Sequence, residues 1–181
     1  MNTRYNVKYK RRREGKTNYR KRAIMLSSNK KIVVFRKLSR TLIGQIVKFD
    51  TKGDIVVASV SSKELEKYGW KLSKKNVPAA YLTGFLLAKK ANNLQNEELI
   101  INLGILSPTK GSTKFAFIKG AIDGGLKIIH SPELFPGNER ITGKHIENYA
   151  ISSKNKIVFS KTPESKNISK IFEEVKRKIG V

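Results

Sequence analysis

Charge constrains the fold and the partners of this chain more than any other feature of its sequence. Its 181 residues include 38 lysines and arginines against 14 acidic residues, a formal net charge of +24 at neutral pH. A compact chain with this imbalance repels itself, and the repulsion is relieved when a polyanion neutralises the cations and releases its condensed counterions. We therefore expect a partner rich in phosphate, either a nucleic acid or an acidic membrane surface.

The membrane alternative has little support in the sequence. No apolar run approaches the roughly 20 residues that span a bilayer, and the first 16 residues lack the apolar stretch of a signal peptide. The chain has no cysteine, so it has neither a disulfide framework nor a thiolate metal site. We expect a cytoplasmic protein with no membrane partner.

The charge is concentrated at the beginning of the chain. Residues 1–30 carry a net charge of +10, whereas residues 61–150 carry only +5. The first 15 residues also lack an apolar period and are expected to be disordered when free. The expected organisation is a basic N-terminal extension with the start of the first helix (1–22), a core domain (23–150), and a basic C-terminal extension with a terminal helix (151–181).

Three short apolar runs rich in β-branched residues follow one another with short links, at 31–37, 41–50 and 54–61. This arrangement is typical of an antiparallel meander. Helical and strand patterns then alternate. The expected fold is therefore α/β, with a mixed sheet that begins with an antiparallel three-strand meander, is covered by helices, and carries basic N- and C-terminal extensions.

The remaining elements are predicted from caps and periodicity. Ser61 and Glu64 have the spacing of a capping box, and Asn76 with Pro78 begins a longer, buried helix. Further strands are predicted over 98–106 and 126–130, and further helices over 17–26, 112–125, 141–150 and 168–179.

The segment from Lys8 to Arg22 is the strongest candidate for a binding function. It has nine cations in fifteen residues, Lys8 and Lys10 among them, and the rings of Tyr5, Tyr9 and Tyr19 are interleaved with or precede them. Guanidinium groups pair with phosphates, and tyrosine rings offer stacking faces for unpaired bases. The alternative is a solvated tail or a localisation signal, but the charge of the whole chain favours RNA binding.

Three further groups are candidates for RNA contact. Arg36, Lys37 and Arg40 at the first strand turn either extend the basic surface or protect a sheet edge. Lys110, Gly111 and Ser112 lie in a polar loop that fails the order of a nucleotide-binding loop; they either hold a phosphate at a helix N-terminus or form an ordinary loop with a cap at Ser112. Trp70, followed by Lys71, either stacks on a base or is half-buried under the sheet.

No catalytic or metal-binding group emerges from the sequence. His130 and His145 have no partner at metal-ligand spacing, and the adjacent Glu97 and Glu98 point to opposite faces of a predicted strand. Asp123 beside two glycines is most simply a helix-end residue. We expect no catalytic residues, no metal and no cofactor. The alternatives to a structural RNA-binding protein are an RNA-processing enzyme with basic tails and a DNA-compacting protein.

Several long motifs occur in an order and spacing that resemble one family, the 5S rRNA-binding large-subunit ribosomal protein numbered eighteen in bacteria and five in eukaryotes. The resemblance covers about residues 5–150, and the length of the chain favours the archaeal form. The motifs are RRREGKTNYRKR (11–22), KYGWK (67–71), PAAYLTG (78–84), PTKGS (108–112), FAFIKGAIDGGL (115–126) and HSPELFPGNERITGKHIENYA (130–150).

The resemblance implies a ribosomal scaffold that lies on 5S rRNA in the central protuberance and links it to the large-subunit rRNA, among neighbouring ribosomal proteins. It also implies that the basic N-terminal segment is inserted among RNA helices. The residues of this chain in that motif are Arg11, Arg12, Arg13, Lys16, Thr17, Tyr19, Arg20 and Arg22.

Overall fold

The computed structural model describes residues 6–104, 109–152 and 163–180. They form an α/β fold with one mixed sheet. Its strands are β1 (Ile32–Lys37), β2 (Leu42–Lys48), β3 (Ile55–Ser61), β4 (Glu98–Asn102) and β5 (Lys127–Ile128). The helices are α1 (Lys10–Arg13), α2 (Tyr19–Ser27), α3 (Val77–Lys90), α4 (Thr113–Asp123), α5 (Asn138–Thr142), α6 (Lys144–Ser152) and α7 (Ile168–Gly180). Short 3₁₀ turns lie at Ser62–Tyr68, Asn92–Leu94, Pro132–Leu134 and Pro163–Asn167.

The sheet has the strand order β3-β2-β1-β4-β5. The first three strands pair antiparallel, so the predicted meander is confirmed. β4 pairs parallel with β1, and β5 pairs parallel with β4. A parallel pair needs a crossover, and helices α3 and α4 provide the two crossovers. The carboxyl ends of β1, β4 and β5 therefore lie at one end of the sheet.

One face of the sheet is packed beneath α3 and α4. Leu42 and Ile46 on β2 are fully buried on this face, as the alternation of the strand predicts. Gly44 lies between them because the ring of Phe117 on α4 occupies the space of its side chain, and a Cβ there would lie 2.5 Å from the ring. On the opposite face, Ile43 and Gln45 are half-buried. This second face is therefore partly open.

The outermost strand of the meander, β3, is an edge strand. Within the described residues it pairs only with β2, and Ile55, Val56 and Val57 are each about half exposed. A β-bulge interrupts the β2–β3 pairing between Ile46 and Val47. The edge is thus apolar along its first half.

Two predicted helix starts are confirmed by their hydrogen bonds. The Asn76 side chain accepts from the Ala79 N–H at 2.9 Å, which caps α3. Ser61 and Glu64 form a complete capping box, although the helix after it is a 3₁₀ helix. Because capping satisfies N–H groups that have no partner within the helix, these residues fix where each helix begins.

The terminal helix α7 is part of the main core. Phe172, Val175 and Ile179 are buried, and the ring centroids of Phe172 and Tyr81 on α3 lie 5.5 Å apart. The amphipathic pattern predicted the helix, but it did not indicate where the apolar side packs. The sequence-based domain boundaries at 22 and 150 stay predictions.

Two local features differ from the expectations. The single helix predicted over 141–150 is two helices, because Gly143, with a φ of +87°, separates α5 from α6. The stretch expected to lack structure contains one helical turn, α1. Part of the strand predicted over 98–106 and the start of the polar loop fall outside the described residues.

Candidate nucleic-acid interface

The basic N-terminal segment contains a folded loop. After α1, Gly15 adopts a φ of +64°, a left-handed conformation that glycine reaches without steric cost. The chain then turns back, and the Arg11 carbonyl oxygen accepts from the Lys16 N–H at 2.9 Å and the Thr17 N–H at 3.2 Å. The Arg11 Nε also donates to Thr17 Oγ1 at 2.9 Å. We call residues 9–19 the N-terminal loop.

Helix α2 connects this loop to the body of the protein. Asn18 caps it by accepting from the Lys21 N–H at 3.2 Å. Arg22 donates to the Asp54 carboxylate at 2.6 Å, next to the start of β3. This hydrogen bond raises the pKa of the Arg22 guanidinium above its usual value, against the effect of burial. Arg22 therefore acts first as an anchor, a role that its place in a cation run does not indicate.

Most other cations of the segment are exposed and uncommitted. Among the described residues, no ion pair or hydrogen bond engages the side chains of Lys8, Lys10, Arg12, Arg13 and Arg20. Lys16 forms an exposed pair with Glu14 at 2.8 Å, an interaction of at most about 1 kcal/mol. Unpaired guanidinium and ammonium groups at this density are available for phosphates.

Arg36, on the sheet, lies close enough to the N-terminal loop to be affected by the charge of Arg11. It lies near the carboxyl end of β1, where its Nη1 donates to the Phe35 carbonyl oxygen at 2.9 Å. Burial of the guanidinium lowers its pKa, and the nearby charge of Arg11 lowers it further. Two guanidinium groups from distant parts of the sequence are therefore close enough to repel each other. A phosphate between them would relieve that repulsion.

The turn between β1 and β2 continues the positive surface. Lys37 and Arg40 are exposed there, and the turn is closed by the Leu38 N–H, which donates to the Thr41 carbonyl oxygen at 2.9 Å. Lys75 Nζ donates to the Ser39 carbonyl oxygen at 2.9 Å, which brings the loop before α3 against this turn. Lys75 was not a sequence candidate. Lys71, which was one, is exposed in the same loop.

The prediction that Trp70 stacks on a base is wrong for this fold. Its side chain is 0% exposed, and its indole N–H donates to the Ser73 carbonyl oxygen at 3.1 Å. A ring with no exposed face has nothing to offer a base. The alternative considered for this residue, a half-buried position, is right in direction, but the ring is fully buried.

The loop before α4 lies near the same end of the sheet. Lys110 is exposed, with Glu133 3.9 Å away, and the Gly111 N–H donates to the Leu134 carbonyl oxygen at 3.0 Å. Ser112 occupies the N-cap position of α4, but its side chain makes no capping hydrogen bond. The alternative of a helix cap at Ser112 therefore holds for the position, although the cap lacks a side-chain hydrogen bond.

Lys114, in the first turn of α4, is a cation that sequence reasoning missed. It is only 8% exposed. Burial lowers its pKa, and the positive charge of Lys37 lowers it further. The charges of Lys114 and Lys37 therefore act on each other, although the two residues lie on different elements. We call the exposed cations of the N-terminal loop, Arg36, Lys37, Arg40 and Lys110, together with the buried Lys114 at the α4 start, the basic strip.

The histidines and carboxylates considered for chemistry have structural partners. His130 Nδ1 lies 2.7 Å from the Ile128 carbonyl oxygen. Glu97 and Glu98 pair with Lys31 at 2.6 Å and Lys30 at 2.5 Å. The described ranges contain no group of three or more histidine, aspartate and glutamate residues placed to hold a metal ion. They also contain no helix long and apolar enough to cross a bilayer.

Comparison with known proteins gives a consistent match. Residues 3–99 match the family model described as "Ribosomal large subunit proteins 60S L5, and 50S L18". Two archaeal relatives are named large ribosomal subunit protein uL18. The protein of Thermofilum pendens is 52% identical over 147 residues, and that of Korarchaeum cryptofilum is 49% identical over 147 residues. Each alignment covers 81% of this chain and 75% of the relative.

These matches confirm the resemblance drawn from the motifs. The relatives are named as ribosomal proteins, which are structural components of the ribosome, so the expectation that the chain is not an enzyme is confirmed. Large-subunit membership also implies ribosomal RNA and other ribosomal proteins as partners. With its basic strip and its α/β fold, the chain belongs to the family of large-subunit ribosomal proteins 60S L5 and 50S L18.

Proposed function

We propose that this ribosomal protein binds 5S rRNA in the central protuberance of the large subunit and links it to the large-subunit rRNA and to neighbouring ribosomal proteins. The observation that carries the proposal is the basic strip. It extends from the N-terminal loop to the start of α4, and most of its exposed cations have no partner within the described residues. A surface with this many cations can contact several phosphates at once.

The expected binding mode is mainly electrostatic. Each phosphate neutralised by a lysine or arginine releases condensed counterions, so affinity falls steeply as salt rises. The N-terminal loop supplies Lys10, Arg12 and Arg13, while Arg36 and Arg40 belong to the folded body. The RNA would therefore be held between the loop and the sheet end.

A salt titration tests this proposal. The full chain and a chain beginning at Thr17 are titrated with 5S rRNA at several salt concentrations. If about five cations of the segment meet phosphates, the truncated chain should flatten log K against log salt by roughly three to five units. Equal slopes would mean that the segment is a solvated tail and that the body carries the binding.

A matched comparison separates 5S recognition from charge alone. The same titration is made with an unrelated structured RNA of equal length and with duplex DNA. We expect a clear preference for 5S rRNA at physiological salt. Equal affinity for all three nucleic acids would contradict the 5S assignment and would leave a non-specific polyanion binder.

A further inference from the structure

Two tyrosines, ten positions apart in the sequence, meet at the base of the N-terminal loop. The ring centroids of Tyr9 and Tyr19 lie 5.2 Å apart, and their planes are tilted by 54°. Tyr9 is 73% exposed and Tyr19 37% exposed. Because the planes are tilted and both rings are exposed, much of their aromatic surface faces solvent. Neither ring contributes to the main core.

The two rings border a hollow with hydrogen-bond donors around it. The hollow has a volume of about 400 Å³, and Arg12, Asn18 and Arg20 also line it. The oxygen of the Asn18 side chain accepts from the Lys21 N–H, and its amide N–H groups have no hydrogen-bond partner among the described residues. Two uncommitted guanidinium groups complete the donors. Aromatic faces with donors around them suit a flat, acceptor-rich ligand.

We propose that this hollow holds one unpaired nucleobase of the bound RNA, stacked on the more exposed ring, Tyr9, with its edge against Tyr19. The inference rests on the proposed function, which supplies the RNA. A base inside an RNA helix is stacked on its neighbours, so the ligand is a base in a loop, bulge or strand end. The neighbouring cations Arg12 and Arg20 hold the adjacent phosphates while the rings hold the base.

This assignment separates two contributions to affinity. Phosphate contacts depend on salt, whereas base stacking on an aromatic ring contributes about 1–3 kcal/mol with little salt dependence. Removing a ring should therefore weaken binding by a similar factor at every salt concentration. Removing a cation should instead change the slope of log K against log salt. If the two rings only support the loop, loss of one ring would displace the loop together with its cations. Both the affinity and its salt dependence would then change.

The experiment uses the full chain and full-length 5S rRNA. Tyr9→Leu and Tyr19→Leu are compared with Tyr9→Phe and Tyr19→Phe, and Arg12→Gln serves as the cation control. We expect each leucine variant to bind roughly 5- to 150-fold more weakly with an unchanged salt slope. The phenylalanine variants should stay within about twofold of wild type, since they keep the ring. Arg12→Gln should flatten the slope by about one unit.

Two results would overturn the base site. One is equal affinity of the leucine and phenylalanine variants. The other is a flatter salt slope in the leucine variants, which would make the pair a structural support for the loop. If wild type shows no preference for 5S rRNA, the proposed function is contradicted, but the base site is not. The same variants are then titrated against large-subunit rRNA fragments to test the base site by itself.

An abasic scan locates the base. Each unpaired nucleotide of 5S rRNA is replaced in turn by an abasic one, and binding is measured with wild type and Tyr9→Leu. We expect a single position at which the abasic change weakens binding by the wild-type protein but causes no further loss of binding by Tyr9→Leu. Strictly additive losses at every position would contradict the site, because interacting partners are non-additive.

Discussion

Gly84 on α3 and Gly120 on α4 face each other's helix backbone at the crossing, and neither position has room for a methyl group. A Cβ on Gly84 would lie 2.0 Å from the Phe117 carbonyl oxygen, and one on Gly120 would lie 2.0 Å from the Tyr81 carbonyl oxygen. The atoms in the way are backbone, which cannot move aside as a flexible side chain does. The two crossover helices therefore touch through their main chains.

Gly84→Ala should destabilise the fold. Alanine favours a helix by about 1 kcal/mol over glycine, but the clash forces the helices apart, and overpacking costs about 1–3 kcal/mol or more. We expect a net loss in the free energy of unfolding, measured by urea denaturation. Gly137→Ala is the matched control, because no atom of the described part of the chain lies within 4 Å of its Cβ position. Similar midpoints for both variants would contradict the close crossing.

The hydrogen bond from the Tyr81 hydroxyl to the Asp123 carboxylate, at 2.8 Å, predicts a loss of stability at high pH. Burial, followed by the carboxylate, raises the pKa of Tyr81 above its ordinary value of 10.0. Above that pH the unfolded chain loses the tyrosine proton while the folded chain keeps it. The folded state then binds more protons, so its stability falls by up to about 1.4 kcal/mol per pH unit.

Tyr81→Phe isolates this contribution. The variant should be less stable than wild type by about 1–3 kcal/mol near neutral pH, and the difference should shrink as the pH rises above about 10. Tyr68→Phe is the control, since the described residues give its hydroxyl no hydrogen-bond partner. Parallel stability curves for wild type and Tyr81→Phe up to pH 12 would contradict the assignment.

Trp70 is the only tryptophan, so its fluorescence reports on burial directly. Excited at 295 nm, the free protein should show weak quenching by acrylamide, and saturating 5S rRNA should leave the emission nearly unchanged. Trp70→Ala should cost about 3–5 kcal/mol of stability because it empties a core position. Saturable quenching by RNA would show that the ring reaches a base after all.

The left-handed conformation of Gly15 predicts a binding defect without a stability defect. Gly15→Ala costs about 1–2 kcal/mol in that conformation, which should open the N-terminal loop and weaken RNA affinity up to roughly 5- to 30-fold. The midpoint of unfolding should not change, because the α1 turn has no buried residue. Gly15→Asn should bind nearly as well as wild type, since asparagine tolerates this conformation. Equal affinity of Gly15→Ala and wild type would mean that RNA binds the open segment.

Much of the fold was predictable because its signals are local. The β-branched runs, the Asn76 cap and the Ser61–Glu64 box each act within a few residues, and the strands and helices begin close to where these signals lie. The packing of α7 was not predictable, since an amphipathic pattern shows that one side is buried but not against what. The break at Gly143 was missed because one glycine among helix formers does not by itself end a helix.

The candidate interface was predictable where charge alone defines it. Density of cations identified the N-terminal segment, but it did not distinguish the anchoring Arg22 from the uncommitted Arg20. Arg11 and Arg36 are brought together by the fold, and no local pattern connects them. Lys75 and Lys114 carried no signal, because a single lysine gains its role from the elements packed around it. The RNA-contact roles themselves stay predictions until titrated.

The open edge of β3 affects how the free protein behaves before it is assembled into the large subunit. Ile55, Val56 and Val57 are exposed on a strand that contains no proline and no charged residue to block pairing. Between two free copies, the +24 charge on each opposes contact. Added salt shortens the range over which this repulsion acts, to about 10 Å at 0.1 M. The colloidal stability of the free protein is therefore greatest in dilute buffer, and high salt, which strips RNA from the cations, also exposes the edge to self-pairing.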